Sequence, residues 1–332
     1  MHTDGPRTYL ERNGPRSARE HNDRGALLHC AGDLDAAVAA YEAALGLDPD
    51  NPCALNNLGF ARAQRGDHAT ARALYERAAA ADPSCATTRV NLGNTLAVLG
   101  DLEAGAAMLG EAVKLDRTSV PAWDSLAIVL VALGDLAAAE GAWRTALEID
   151  ARNADLIVSL GTVVAAQRRL DEGAGLLSRA VRLDPGSARA WAQLGMVLFM
   201  RSDLGSAEDA FRESLAAEPA DAEVRRHLAT TLVARGRHAE ALAELRRALA
   251  VDPDRPETLV DLGVVHLGLA DPAAALKALE AAVSLAPRDE RAAFYRAAAL
   301  DLLGREEGRK AMERLAAEGG DRAAHYLAGD SR

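Results

Sequence analysis

The sequence predicts an all-α solenoid built from tandem helix-turn-helix repeats. Gly-Asp pairs recur at intervals of 34 residues, at Gly32-Asp33, Gly66-Asp67, Gly100-Asp101 and Gly134-Asp135. Between these pairs the apolar residues are spaced i, i+3, i+4 and i+7, which is the pattern of helices that bury one face. No segment shows sustained alternation of apolar and polar residues, so we expect essentially no sheet.

Each repeat is predicted to hold two helices, helix A and then helix B, as residues 52–85 illustrate. Gly66 ends helix A as a C-terminal glycine, and Asp67 is suited to cap the N-terminus of helix B. Pro83 stops helix B. Gly59 lies inside helix A, at a position where most other repeats also carry glycine or alanine. We therefore expect this position to let helices A and B approach closely.

Composition excludes several classes of protein. A chain of 332 residues is longer than one hydrophobic core usually serves, and a repeat array accounts for this length. The net charge of −11 argues against a nucleic-acid partner, which would need a basic surface. Three cysteines without a C-x-x-C pair indicate a reducing compartment. No apolar signal segment and no run of about 18 apolar residues occurs, so we expect a cytoplasmic protein without a membrane partner.

The repeat unit resembles the tetratricopeptide repeat, whose pattern is W-x-x-L-G-x-x-Y in helix A and A-x-x-x-F-x-x-A followed by P from helix B onward. Helix A positions are occupied by Trp191, Leu194, Gly195 and Leu198, and helix B positions by Ala71, Tyr75, Ala78 and Pro83. The resemblance extends from about residue 18 to about residue 318. It implies a right-handed superhelical solenoid in which helix A lines a concave, partner-binding groove.

Three segments are expected along the chain. Residues 1–17 contain two Gly-Pro pairs and are predicted to form a flexible arm. Residues 18–318 are predicted to form nine repeats, starting near residues 18, 52, 86, 120, 154, 188, 222, 256 and 290. Residues 319–332 are predicted to form a short capping helix and a tail, with Ala324, Tyr326 and Leu327 facing inward.

The resemblance also implies which side chains face the groove. The first repeats supply asparagines, whose amides can both donate to and accept from a peptide backbone. Later repeats supply apolar residues, among them adaptable methionines. The expected partner-binding residues are Asn22, Asn56, Phe60, Asn91, Asn94, Asp124, Ile128, Arg189, Met196, Phe199, Met200, Arg226, Val264 and Arg291.

The sequence carries no signature of catalysis, so we expect a protein that is not an enzyme and has no cofactor or metal. The motifs G-x-x-x-x-G-K-[ST], H-E-x-x-H and G-x-S-x-G are all absent. His21 and His29 would lie about 12 Å apart on one helix, too far to share an ion.

The favoured hypothesis is an adaptor that binds a peptide or helix of another protein in the groove. Two alternatives stay open: a self-assembling scaffold, and a regulatory or substrate-presenting subunit of a separate enzyme. RNA-reading pentatricopeptide arrays are disfavoured, because their unit is usually one residue longer and their grooves are basic.

Overall fold

The structure is a computed structural model that describes residues 16–329, and all regular structure in this range is α-helical. The helices are α1 (Ala18–Cys30), α2 (Leu34–Leu47), α3 (Pro52–Gln64), α4 (His68–Ala81), α5 (Ala86–Val98), α6 (Leu102–Leu115), α7 (Val120–Ala132), α8 (Leu136–Ile149), α9 (Ala154–Ala166), α10 (Leu170–Leu183), α11 (Ala188–Met200), α12 (Leu204–Ala217), α13 (Ala222–Ala234), α14 (His238–Val251), α15 (Pro256–Gly268), α16 (Pro272–Leu285), α17 (Glu290–Leu302), α18 (Glu306–Ala317) and α19 (Asp321–Leu327). The predicted all-α fold of tandem helical pairs is confirmed.

Helices α1 to α18 form nine pairs, in which the odd-numbered member is helix A and the even-numbered member is helix B. The predicted arm lies mostly outside the described residues. Its last residue, Ser17, is described, and its hydroxyl accepts a hydrogen bond from the backbone N–H of Glu20 at 3.2 Å. Ser17 therefore serves as the N-cap of α1.

The turn between helices A and B consists of a residue with a left-handed backbone conformation, followed by the residue that caps the N-terminus of helix B. Gly66 has a φ of 79°, and Asp67 then accepts a hydrogen bond from the backbone N–H of Thr70 at 3.2 Å. Arg168, Ser202 and Ala270 adopt the same left-handed conformation without being glycine, with φ values of 67°, 63° and 57°. The turn is thus kept even where the glycine of the sequence pattern is lost.

The chain divides into two compact units, unit 1 (Met1–Val163) and unit 2 (Val164–Arg332). Within unit 1, the A helices α1, α3, α5 and α7 each lie against the next one along the chain. Within unit 2, the same holds for α11, α13, α15 and α17. We call the exposed surface of these A helices the A-helix face of the unit.

Helices A and B pack closely at the small-residue position. A Cβ atom added to Gly59 would lie 2.8 Å from a ring carbon of the buried Tyr75 in helix B. In the next repeat, a Cβ atom on Gly93 would lie 2.7 Å from Cγ of Leu109 and 2.9 Å from the backbone oxygen of Gly105. Glycine at this position therefore makes room for a large side chain of helix B in both repeats, and for the helix B backbone in the second.

The last helix, α19, covers the apolar end of the preceding pair. Ala323 is buried, and Tyr326 and Leu327 pack on the cluster that contains Met312. The prediction that Ala324 faces inward is wrong, because Ala324 is exposed and Ala323 is buried in its place. The reason is helical spacing, since positions 323, 326 and 327 lie on one face of a helix that begins at Asp321.

Candidate interaction surface

Four asparagines connect the A helices of the first three repeats. Asn91 donates from Nδ2 to Oδ1 of Asn56 at 2.9 Å, and Asn57 donates in the same way to Asn22 at 2.9 Å. A longer contact of 3.4 Å, from Nδ2 of Asn56 to Oδ1 of Asn57, links the two pairs. We call this chain of amides the asparagine ladder. Each of its amides already uses a donor, an acceptor or both within the protein.

Exposed apolar side chains lie beside the ladder on the A-helix face of unit 1. Phe60 on α3 is 44% exposed, Val98 on α5 is 64% exposed and Ile128 on α7 is 55% exposed. We call these three residues the apolar row. Asn94, one turn before Val98, is also exposed. Large apolar side chains that remain this open on three neighbouring helices are typical of a contact surface.

Two polar side chains border Phe60. The imidazole of His29 lies 5.4 Å from the Phe60 ring, centroid to centroid, and its Nε2 is 2.8 Å from Oε1 of Gln64. These contacts connect α1 to α3 at the C-terminal ends of both helices. They hold the side chains of His29 and Gln64 in place beside Phe60.

The side chain of Asp124 is already hydrogen-bonded within the protein. Its Oδ1 accepts a hydrogen bond from Nε1 of Trp143 in α8 at 2.7 Å. The carboxylate therefore satisfies a largely buried indole of helix B within the same repeat. Of the residues expected in the groove of the fourth repeat, Ile128 is the one that the structure leaves open.

The methionine-rich cluster of the sixth repeat is only partly accessible. Met196 and Phe199 are half-buried, and Met200 at the end of α11 is exposed. Met196 and Arg189 line a cavity of about 320 Å³ between α11 and α13, together with His227 and Glu223. Val264 on α15 is half-buried against a core cluster of the eighth repeat. This part of the predicted site is therefore less open than the apolar row.

Ion pairs occupy much of the A-helix face of unit 2. Asp261 on α15 is buried, and its carboxylate binds Arg226 of α13 at 3.1 Å and Arg291 of α17 at 2.6 Å. Glu223 binds Arg226 at 2.6 Å and also pairs with Arg255. The structure thus brings together two expected groove residues, Arg226 and Arg291, through an aspartate that lies between them.

Asn57 and Asp261 are not among the expected partner-binding residues, yet they make several of these contacts. A sequence signal for them exists in the repeat period. The bonds Asn22–Asn57, Asn56–Asn91 and Arg226–Asp261 each join residues that are 35 positions apart, which is one repeat plus one residue. The same interval separates His29 from Gln64. Pairing polar residues at this interval, rather than at the repeat length, would have identified both groups.

The surroundings of His227 favour the neutral form of its imidazole. Its ring stacks on Phe211 with centroids 5.9 Å apart, and its Nε2 lies 3.2 Å from the Glu223 carboxylate. Burial lowers the pKa of His227 and the Arg226 guanidinium lowers it further, whereas Glu223 acts in the opposite direction. Burial likewise lowers the pKa of His266.

We expect the chain to lose stability as the pH falls below about 6.5, the unperturbed histidine pKa. With a lower pKa in the folded state, the unfolded chain binds more protons in this window, so protonation favours unfolding. Above about pH 6.5 the contribution of His227 is fully present. Urea titrations at pH 7.5 and pH 5.5 should show a smaller difference for His227→Gln than for the wild type. An equal difference would show that His227 does not titrate in this way.

Residues 16–329 contain no cluster of three or more histidine, cysteine or acidic residues suited to a metal ion. Within the same range, no helix combines the length and the apolar character needed to cross a membrane. Cys30, Cys53 and Cys85 are free thiols.

Solved structures with the same fold include proteins of several kinds. A tetratricopeptide repeat protein from Parabacteroides merdae is 16% identical, with a TM-score of 0.59 over 74% of this chain and 97% of that one. The Cut9–Hcn1 hetero-tetramer of the APC/C contains a chain that is 18% identical, with a TM-score of 0.60 over 89% of this chain and 58% of that one. PilF of Pseudomonas aeruginosa is 21% identical, with a TM-score of 0.56 over 65% of this chain and 98% of that one. These likenesses show the fold. No curated protein sequence matches the chain.

Family models agree with the repeat pattern. Residues 3–221 match the tetratricopeptide model of the C-terminal domain of cilia and flagella-associated protein 70. Residues 198–259 and 260–308 match two further tetratricopeptide repeat models. Because the first of these models covers more than half of the sequence, the chain belongs to the family that it describes, a family of tetratricopeptide repeat proteins.

Proposed function

We propose that this chain is a non-enzymatic adaptor that binds a peptide or helix of a partner protein on its A-helix face. The observation that supports this most is the apolar row, because Phe60, Val98 and Ile128 stay open to solvent on three adjacent helices. Burial of such side chains against a partner supplies much of the free energy of protein association. A cytoplasmic location is part of the same proposal, and the three free thiols are compatible with it.

Affinity capture with matched variants tests this function. Ile128→Asp puts a charge at one end of the apolar row, at a position exposed enough to leave the fold intact. Leu115→Asp is the control, because Leu115 is a similarly exposed apolar residue at the end of helix α6, outside the A-helix face. We expect at least one protein that the wild type and Leu115→Asp capture, and that Ile128→Asp captures about tenfold less.

Unit 2 needs its own variant in the same experiment. Met200→Asp introduces a charge at the exposed end of the predicted methionine cluster. Loss of the captured protein with Met200→Asp alone would move the site to unit 2. Equal recovery with all variants would contradict an adaptor that works through either A-helix face. Light scattering on the same samples separates the scaffold alternative, since self-assembly raises the molar mass with concentration.

A further inference from the structure

The fourth position of each repeat lies on helix A and holds a large side chain in every repeat except the ninth. The first eight repeats carry, in order, His21, Leu55, Arg89, Trp123, Ile157, Trp191, Arg225 and Leu259. The ninth repeat carries Ala293, on α17. The last pair of helices therefore lacks a side chain that fills space between helices elsewhere in the array.

The same position also supplies a hydrogen-bond donor in three repeats. In the fourth, sixth and seventh repeats, its side chain donates to the backbone carbonyl six residues earlier. These bonds run from Trp123 Nε1 to Arg117, from Trp191 Nε1 to Pro185 and from Arg225 Nη2 to Pro219, at 2.9, 2.9 and 2.6 Å. The equivalent carbonyl of the ninth repeat belongs to Pro287, and the methyl group of Ala293 has no donor to offer it.

A cavity of about 260 Å³ lies beside Ala293, between α16, α17 and α18. Its apolar lining includes Val283 and Leu315. In the fourth repeat, Trp123 packs on a cluster that contains Val113 of the preceding helix B. Val283 holds the position of Val113 five repeats later. The cavity therefore lies against α16 as the indole of Trp123 lies against α6.

The polar part of the lining carries one net positive charge. It consists of the guanidinium groups of Arg296 and Arg314 and the carboxylate of Glu318. Arg296 stands at a position where the second to eighth repeats all carry leucine. Guanidinium groups bind carboxylates through charge-assisted hydrogen bonds. The volume is below the roughly 300–1,000 Å³ that is usual for drug-sized ligands, so a smaller anionic molecule suits this cavity.

We propose that this cavity binds a small aromatic carboxylate with a ring N–H donor, such as an indole carboxylate. The ring lies against Val283 and Leu315, the N–H group donates to the carbonyl of Pro287, and the carboxylate binds Arg296 and Arg314. The ligand thus takes the place that the Trp123 indole holds in the fourth repeat. None of these residues is among the predicted partner-binding residues, so binding here is independent of the proposed adaptor function.

Isothermal titration calorimetry of the full chain with three probes tests each part of the ligand. Indoleacetate has the ring, the N–H donor and the carboxylate, whereas methylindole lacks the carboxylate and naphthylacetate lacks the N–H donor. We expect indoleacetate to bind at one site per chain. The other two probes should bind at least about fivefold more weakly, because each leaves a polar group of the cavity without its partner.

Two variants place the binding in this cavity. Ala293→Trp supplies the missing indole, so it should abolish the binding of indoleacetate and leave the thermal unfolding midpoint no lower than that of the wild type. Ala273→Trp is the matched control, because Ala273 is an exposed alanine of α16 outside the cavity, and it should bind like the wild type. Arg296→Gln removes the charge and should weaken binding about tenfold.

Arg296→Gln keeps the test decisive even if Ala293→Trp does not fold, which circular dichroism would show. Absence of indoleacetate binding to the wild type would overturn the proposal. Binding that Ala293→Trp and Arg296→Gln both leave unchanged would overturn it as well, because the ligand would then lie elsewhere. Methylindole that binds as tightly as indoleacetate would contradict the assignment of a carboxylate to Arg296 and Arg314.

Discussion

Replacement of Asp261 by alanine should lower the unfolding free energy of the chain by about 3 kcal/mol. Asp261 is 7% exposed, and its carboxylate connects three A helices, since it binds Arg226 of α13 and Arg291 of α17. Its removal leaves the half-buried Arg226 with one carboxylate, Glu223, where it now has two. Arg291 is partly exposed and can turn toward water, so we expect a cost near the lower end of that for a broken buried ion pair.

Urea unfolding followed by far-ultraviolet circular dichroism measures this effect. Asp254→Ala is the control, because Asp254 is an exposed aspartate just before α15, the helix that carries Asp261. Its replacement should change the unfolding free energy by no more than about 0.5 kcal/mol. The double variant Asp261→Ala, Arg226→Ala should lose less than the sum of the two single losses, because the two groups interact. Strict additivity, or a loss as small as that of the control, would contradict a network centred on Asp261.

The network also bears on which unit binds a partner. An apolar ligand that covers the A-helix face of unit 2 would have to take the ion pairs of this network out of water, which is costly even for paired charges. The corresponding face of unit 1 presents the apolar row and amides. If unit 2 takes part in binding, polar and charged groups of the partner suit its surface better.

The repeat period allows the fold to be predicted from the sequence even where the motif is degraded. Ser202 and Ala270 replace the glycine of the turn, yet both keep its left-handed φ, because the flanking helices pack in the same way as in the other repeats. Spacing therefore predicts the turn when residue type does not. It is harder to predict which residues of neighbouring A helices contact each other, because these contacts join residues one repeat plus one residue apart.

The candidate site was predictable only in part, since exposure depends on neighbours that a single repeat does not reveal. Ile128 and Met196 hold the same position of the repeat on their A helices, but Ile128 is 55% exposed and Met196 is half-buried. Asp124 was expected to face a partner, and the structure directs its carboxylate to the indole of Trp143. Whether a side chain turns to solvent or to its own helix B is decided by rotamers and by the size of the residue opposite, neither of which repeat spacing encodes.

Replacement of Tyr75 by alanine should cost about 4 kcal/mol of unfolding free energy. The Tyr75 side chain is 1% exposed, and its ring closes against Gly59 of the preceding helix A. The loss combines the transfer free energy of the ring with the cavity that remains between α3, α4 and the next pair. Burial raises the pKa of the Tyr75 phenol, as expected for a ring enclosed by apolar groups. Urea unfolding measures the loss, and Tyr75→Phe, which keeps the ring, is the control.

For the same two residues, packing predicts that the effect of Gly59→Ala on stability changes sign when Tyr75 is replaced by alanine. In the wild type, Gly59→Ala should destabilise, because the new Cβ atom would lie 2.8 Å from a carbon of the Tyr75 ring. In the Tyr75→Ala background the ring is absent, and the same substitution should stabilise by up to about 1 kcal/mol, because alanine favours the helix more than glycine does. Stabilisation by Gly59→Ala while Tyr75 is present would show that the glycine is not required for close packing. A change of sign between the two backgrounds would show that glycine is needed at position 59, despite its low helix propensity, because alanine there clashes with the buried Tyr75 ring.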